Sequence, residues 1–101
     1  MKLSEFDKIT YEVNRGVALV TLNNPARRNA WGGRMSVEYR WALYHAHTDD
    51  SARVVVVTGV GDDFCVGADT SELSSIESAG GAYQKAQLEL PPYPEATPKA
   101  F

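Results

Sequence analysis

The chain has 101 residues, 44% hydrophobic and 23% charged, and carries a net charge of −3. That length holds at most one small domain, and the composition is that of a folded chain rather than a disordered one. The acidic balance argues against a general nucleic-acid or anionic-membrane binder, and no apolar run approaches the roughly 20 residues of a membrane-spanning helix.

Met1 to Lys8 contain no apolar stretch able to serve as a secretory signal. The single cysteine, Cys65, cannot form an internal disulfide, so a cytoplasmic location is expected. Ile9 to Val13 alternate apolar and polar residues, the pattern of a half-buried strand. Asn14-Arg15-Gly16 reads as a turn and Val17 to Leu22 as a second strand, so a hairpin is expected. Asn23-Asn24-Pro25 ends it, because proline donates no ladder hydrogen bond and restricts its predecessor.

Between Glu12 and Glu38 there is no acid, yet Arg15, Arg27, Arg28 and Arg34 fall there. A local basic loop of this kind is either a solvated surface or a site for a small anion. Residues 34–48 read as a helix, with Met35, Tyr39, Ala42, Leu43 and Ala46 forming one apolar stripe at three- and four-residue spacing. Arg53 to Thr58 contain four consecutive valines. A run without alternation predicts a strand covered on both faces, as in a parallel sheet layer.

Gly59 to Asp63 form a predicted turn, followed by the short apolar step Phe64-Cys65-Val66. Gly67-Ala68 then leads into Asp69 to Leu73, which read as a helix start capped by Asp69 or Thr70. A second helical piece is expected over 82–90, and residues 91–101 read as proline-rich coil. A buried strand that turns on glycine toward a helix presents backbone N–H groups, which suit an oxyanion or phosphate as readily as they suit tight packing.

Rival motifs are weaker. Gly59-x-Gly61 begins like a dinucleotide fingerprint, but Phe64 stands at the third glycine position and Asp62 and Asp63 would repel a pyrophosphate. No metal site is expected, since His45 and His47, two apart on a helix, point to different faces. Cys65 reads as a buried, inert thiol. No Gly-x-Ser-x-Gly elbow is present.

Two ordered segments carry a family resemblance. Val17 to Ala30, VALVTLNNPARRNA, resembles the strand and Asn-x-Pro-x-x-x-Asn-Ala loop of the crotonase superfamily, the enoyl-CoA hydratases and isomerases. Arg53 to Asp69, RVVVVTGVGDDFCVGAD, is similar to that family's valine strand, glycine turn and Phe-x-x-Gly-Ala-Asp step. The resemblance is best over residues 8–73. It implies an α/β fold, a spiral of crotonase-like ββα units, of which residues 1–101 would be the N-terminal part of one domain. It implies an acyl-CoA thioester as substrate, with coenzyme A entering only as part of it and no separate cofactor. Hydration (a lyase reaction) or isomerisation, in fatty acid metabolism, would be the activity.

By the same resemblance the backbone N–H of Ala68 is one of two oxyanion-hole donors, the catalytic element expected here. Arg27, Arg28 and Ala30 would contact the coenzyme A moiety, with Val66, Gly67, Asp69 and Thr70 lining the same approach. Assembly as a homotrimer or dimer of trimers is expected, without nucleic-acid or membrane partners.

Departures from the family pattern are Trp31 in place of leucine, Gly32-Gly33 at the start of the helix, and Thr70 in place of an aliphatic residue. They leave the acyl specificity open. Nothing after Leu73 resembles the family's second oxyanion segment or its catalytic glutamates. The expectation is therefore of a missing C-terminal remainder, lost by truncation or supplied as a separate fragment, and of residues 1–101 alone being inactive and poorly folded. The alternative is a non-catalytic remnant serving as a coenzyme A-binding or assembly module.

Overall fold

The protein is described over residues 1–69, from a computed structural model. The expected helix start beyond Asp69, the piece at 82–90, the coil at 91–101 and Thr70 lie outside the described residues.

Strands β1 (Ile9–Asn14) and β2 (Val17–Leu22) form the expected antiparallel hairpin, with Asn14 opposite Val17 at its tip. Arg15 and Gly16 make the two-residue turn, with φ of 53° and 82°. Two consecutive positive φ values are what the right-handed twist of paired strands favours in so short a connection. The Gly16 carbonyl also accepts the Arg53 N–H at 2.7 Å, which ties the hairpin tip to the chain entering the third strand.

Helix α1 (Gly33–Thr48) follows a loop, and strand β3 (Val54–Gly59) then lies parallel to β2, giving the sheet order β1-β2-β3. The helix begins on Gly32 without a side-chain cap, and Ser36 N–H donates to the Gly32 carbonyl at 3.0 Å. Gly32 and Gly33 are buried at this entry. The helix ends at Asp49, whose carboxylate accepts the Ser51 N–H at 2.9 Å.

The core lies between α1 and one face of the sheet. Met35, Ala42, Leu43 and Ala46 of the expected stripe are buried against Ile9, Ala18, Val20, Leu22 and Val55, with Tyr39 half-buried at the edge. Each large aliphatic side chain so buried contributes about 1.5–3 kcal/mol.

The valine strand differs from expectation. Val55 is buried and Val57 half-buried, but Val54 and Val56 are 46% and 45% exposed. The parallel pairing agrees with the reading of the apolar run, whereas the second cover is not supplied by the described residues. Of the described helices only α1 packs on the sheet, and no described residue forms a layer over the other face of β3. Among the described residues no helix is long and apolar enough to cross a membrane.

Candidate active site

The candidate site is built where the loop after β2 meets the segment after β3. Pro25–Arg27 form a single helical turn, and Arg28 and Asn29 follow with left-handed φ of 53° and 57°. Asparagine tolerates that conformation, and here its side chain is put to use. Asn29 is wholly buried. Its Oδ1 accepts the Asn24 N–H at 2.8 Å, and its Nδ2 donates to the Val60 and Asp63 carbonyls at 2.9 and 2.8 Å. One amide therefore closes its own loop and pins the turn after β3. Gly59 sits beneath it with no space to spare: a Cβ there would lie 2.8 Å from Asn29 Nδ2 and 2.6 Å from the Phe64 carbonyl oxygen.

Backbone bonds continue the junction. Trp31 N–H donates to the Gly67 carbonyl at 2.6 Å, Asp69 N–H donates to the Trp31 carbonyl at 2.9 Å, and Trp31 and Ala68 form a parallel bridge. In such a bridge the flanking residues 67 and 69 make the bonds, so Ala68's own N–H points away from Trp31. Among the described residues it has no acceptor. Gly67, at φ 113°, provides the bend that places it.

Ala68 opens on a recess of about 350 Å³ lined by Ala26, Arg27, Arg28, Ala30 and Val66 as well. The expected site residues Arg27, Arg28, Ala30, Val66 and Ala68 are thus brought together, with Gly67 and Asp69 adjoining them in the chain. Phe64 and Cys65, just before Val66, line a second recess of about 520 Å³ with Leu22, Trp31, Tyr39 and Val55 to Val57. That recess is apolar. Trp31 stands edge-on to Tyr39 with ring centroids 5.3 Å apart. Burial pushes the Tyr39 phenol above its usual pKa, partly opposed by the charge of Arg40. Cys65 is half-buried in this wall rather than enclosed, because only one side of its short segment rests on the core.

The basic loop is not basic in space. Arg27 Nη2 donates to Asp69 Oδ1 at 2.8 Å, and Arg28 grips Asp63 through Nε and Nη2 at 2.9 and 3.1 Å. Hydrogen bonding from Arg28 outweighs desolvation and, with the guanidinium charge, holds the Asp63 carboxyl below its ordinary value. Arg34 pairs with Glu38 at 2.6 Å. An acid-free stretch of chain acquires its acids from 4 to 42 residues away. Asp63, read as a residue that would repel an anion, is paired.

Two polar residues escaped the reading of the chain. Asn29 stood in a quoted motif without a role. Glu38, 0% exposed, was given no role either. Its Oε1 accepts the Asp7, Lys8 and Ile9 N–H groups at 2.9, 2.8 and 3.0 Å. Its place three residues after Met35 and four before Ala42, along the apolar stripe, was the signal that could have found it. His45 and His47 stand apart as expected, His45 Nε2 lying 2.8 Å from the Met1 carbonyl oxygen and His47 being exposed. Among the described residues no group of three metal-ligating side chains occurs.

The Enoyl-CoA hydratase/isomerase family model matches residues 12–91. A probable enoyl-CoA hydratase of Mycobacterium tuberculosis is 42% identical over 73 residues, 72% of this chain and 28% of that protein. The 1,2-epoxyphenylacetyl-CoA isomerase of Escherichia coli is 34% identical over 64 residues, 63% of this chain and 24% of its own length. Among solved structures, an enoyl-CoA hydratase/isomerase from Xanthobacter autotrophicus superposes with a TM-score of 0.69 at 37% identity, over 74% of this chain and 28% of that one. Another, from Mycobacterium paratuberculosis, gives 0.65 at 45% identity over 68% and 26%. The chain thus spans about a quarter of the length of these relatives. With the family's sequence pattern over most of its length and the same arrangement of sheet and helix, it belongs to the enoyl-CoA hydratase/isomerase family and has the α/β architecture of the crotonase-like fold.

Proposed function

We propose that the protein binds an acyl-CoA thioester and stabilises enolate-like charge on the thioester oxygen, with the Ala68 N–H as one of the donors. The observation that carries this reading is the Trp31–Ala68 bridge, which leaves the Ala68 N–H without an acceptor among the described residues at the mouth of a recess. A preorganised amide aimed at developing negative charge lowers the barrier by about 2.7–4 kcal/mol where single donors have been removed. The apolar recess beside Trp31 and Phe64 suits the acyl group, and Arg27 and Arg28 flank the side from which coenzyme A phosphates would approach.

Proton transfer requires groups beyond those described. Asp63 and Asp69 are held by arginines, and Glu38 is buried on the hairpin side of the helix with four hydrogen bonds. None is a free acid or base at the recess, so hydration or isomerisation would draw these groups and the second oxyanion donor from the remainder of the domain. The same observation favours, as a second reading, a coenzyme A-binding module without turnover.

Acetoacetyl-CoA separates the possibilities, because its enolate absorbs in the near ultraviolet. Growth of the enolate band on binding, lost in Ala68→Pro, is expected of an oxyanion donor. Binding without an enolate band leaves the module reading, and no binding at all removes both.

A further inference from the structure

Of the two arginines at the recess, only one is held in a way that a ligand could undo. Arg27 pairs with a carboxylate whose side chain is 11% exposed, whereas Arg28 and Asp63 are 69% and 31% exposed. The backbone of Arg28 is fixed: its N–H donates to the Pro25 carbonyl at 3.0 Å, and its carbonyl accepts the Val66 N–H at 3.3 Å. Asp63 is fixed as well, through its carbonyl on buried Asn29. The two side chains therefore meet at the surface from anchored positions, with both carboxylate oxygens on one edge of the guanidinium. A phosphate group uses that same edge in the same two-pronged way.

We propose that Asp63 is an internal competitor for the anionic part of the ligand at Arg28, and so sets how much negative charge a ligand must carry to bind. The proposal rests on the acyl-CoA reading above. Arg27 and Arg28 contribute two positive charges at the rim and Asp63 and Asp69 two negative ones, so an arriving anion meets no net attraction there. A singly charged ligand gains little by displacing a carboxylate of equal charge. A multiply charged phosphate displaces it because the exposed pair is weak, worth about two- to fivefold in an equilibrium constant.

The test compares but-2-enoyl-CoA with but-2-enoyl-pantetheine, which carries the same thioester without the phosphates, by calorimetric titration of the protein. Asp63→Asn is expected to tighten the CoA thioester about two- to fivefold and to leave the pantetheine thioester unchanged. The gain should vanish when Arg28→Gln is added. Asp63→Ala serves as a second variant, since the Asn29 bond goes to the backbone of residue 63 and survives either change. Unchanged or weaker CoA binding in both variants would show that Asp63 holds Arg28 ready for the ligand, and would overturn the proposal while leaving the acyl-CoA reading intact. Equal tightening of both thioesters would overturn it as well. If neither thioester binds the unaltered protein, the acyl-CoA reading fails and the proposal falls with it.

Discussion

The hairpin-and-helix layer and the segment after β3 are held by different forces. In the layer, aliphatic side chains from β1, β2 and α1 close on one another, and Ile9, Val20, Leu22 and Met35 are all but removed from water. In the segment, Val60, Phe64 and Val66 are 38%, 58% and 47% exposed, and the chain is held by Asn29, two arginine–carboxylate pairs and a backbone bridge. Burial has no preferred direction, so it makes a layer robust without aiming any one group. Hydrogen bonds are directional, and the segment that carries the Ala68 N–H is held by them.

The largest effect expected from breaking this contrast lies inside the layer, at its one polar knot. Glu38→Ala removes the acceptor for three consecutive backbone N–H groups and the partner of Arg34, whose Nη2 also reaches the Glu5 carbonyl at 2.8 Å. One buried and two part-buried donors left without their acceptor cost heavily, and a loss of about 3–5 kcal/mol is expected. The midpoint of urea unfolding measures it. A loss under about 1 kcal/mol would mean that water replaces the carboxylate and the knot is not sealed.

Asn29→Ala comes next. It deletes three hydrogen bonds and leaves alanine in a left-handed conformation, at an expected cost of about 2–3 kcal/mol. The distribution matters more than the size. Amide hydrogen exchange should quicken over residues 60–68 and change little in β1 and α1. Uniform quickening would make Asn29 part of the core rather than the clamp of the site segment.

The same division governs what the chain disclosed before its structure was known. Hydrophobic periodicity depends on burial, so Ile9–Asn14, Val17–Leu22 and the stripe from Met35 to Ala46 could be read from spacing. The residues that gather at the recess, Arg27, Arg28, Ala30, Val66 and Ala68, could be named through the family resemblance. Their pairing could not, because an arginine's partner may lie 35 or 42 residues away and charge along the chain does not predict charge in space. Glu38 shows the limit most clearly. Three residues after Met35 and four before Ala42, it lies along the buried stripe, and the return of residues 7–9 over the helix, with Arg34 beside it, makes the burial of a carboxylate favourable.

The smallest effect tests the face of β3 that no described residue covers. Val55→Thr buries a hydroxyl in the core and should cost about 1–3 kcal/mol. Val56→Thr, on the neighbouring residue, places the same hydroxyl on a face that no described residue covers, where threonine also suits a strand. It should change stability by no more than about 0.5 kcal/mol. The two substitutions share their chemistry and their strand, so the difference between them isolates burial. Equal costs would mean that the open face of β3 is covered in solution. The unalternated run of valines would then have described the strand's surroundings correctly, with the second layer supplied from outside residues 1–69.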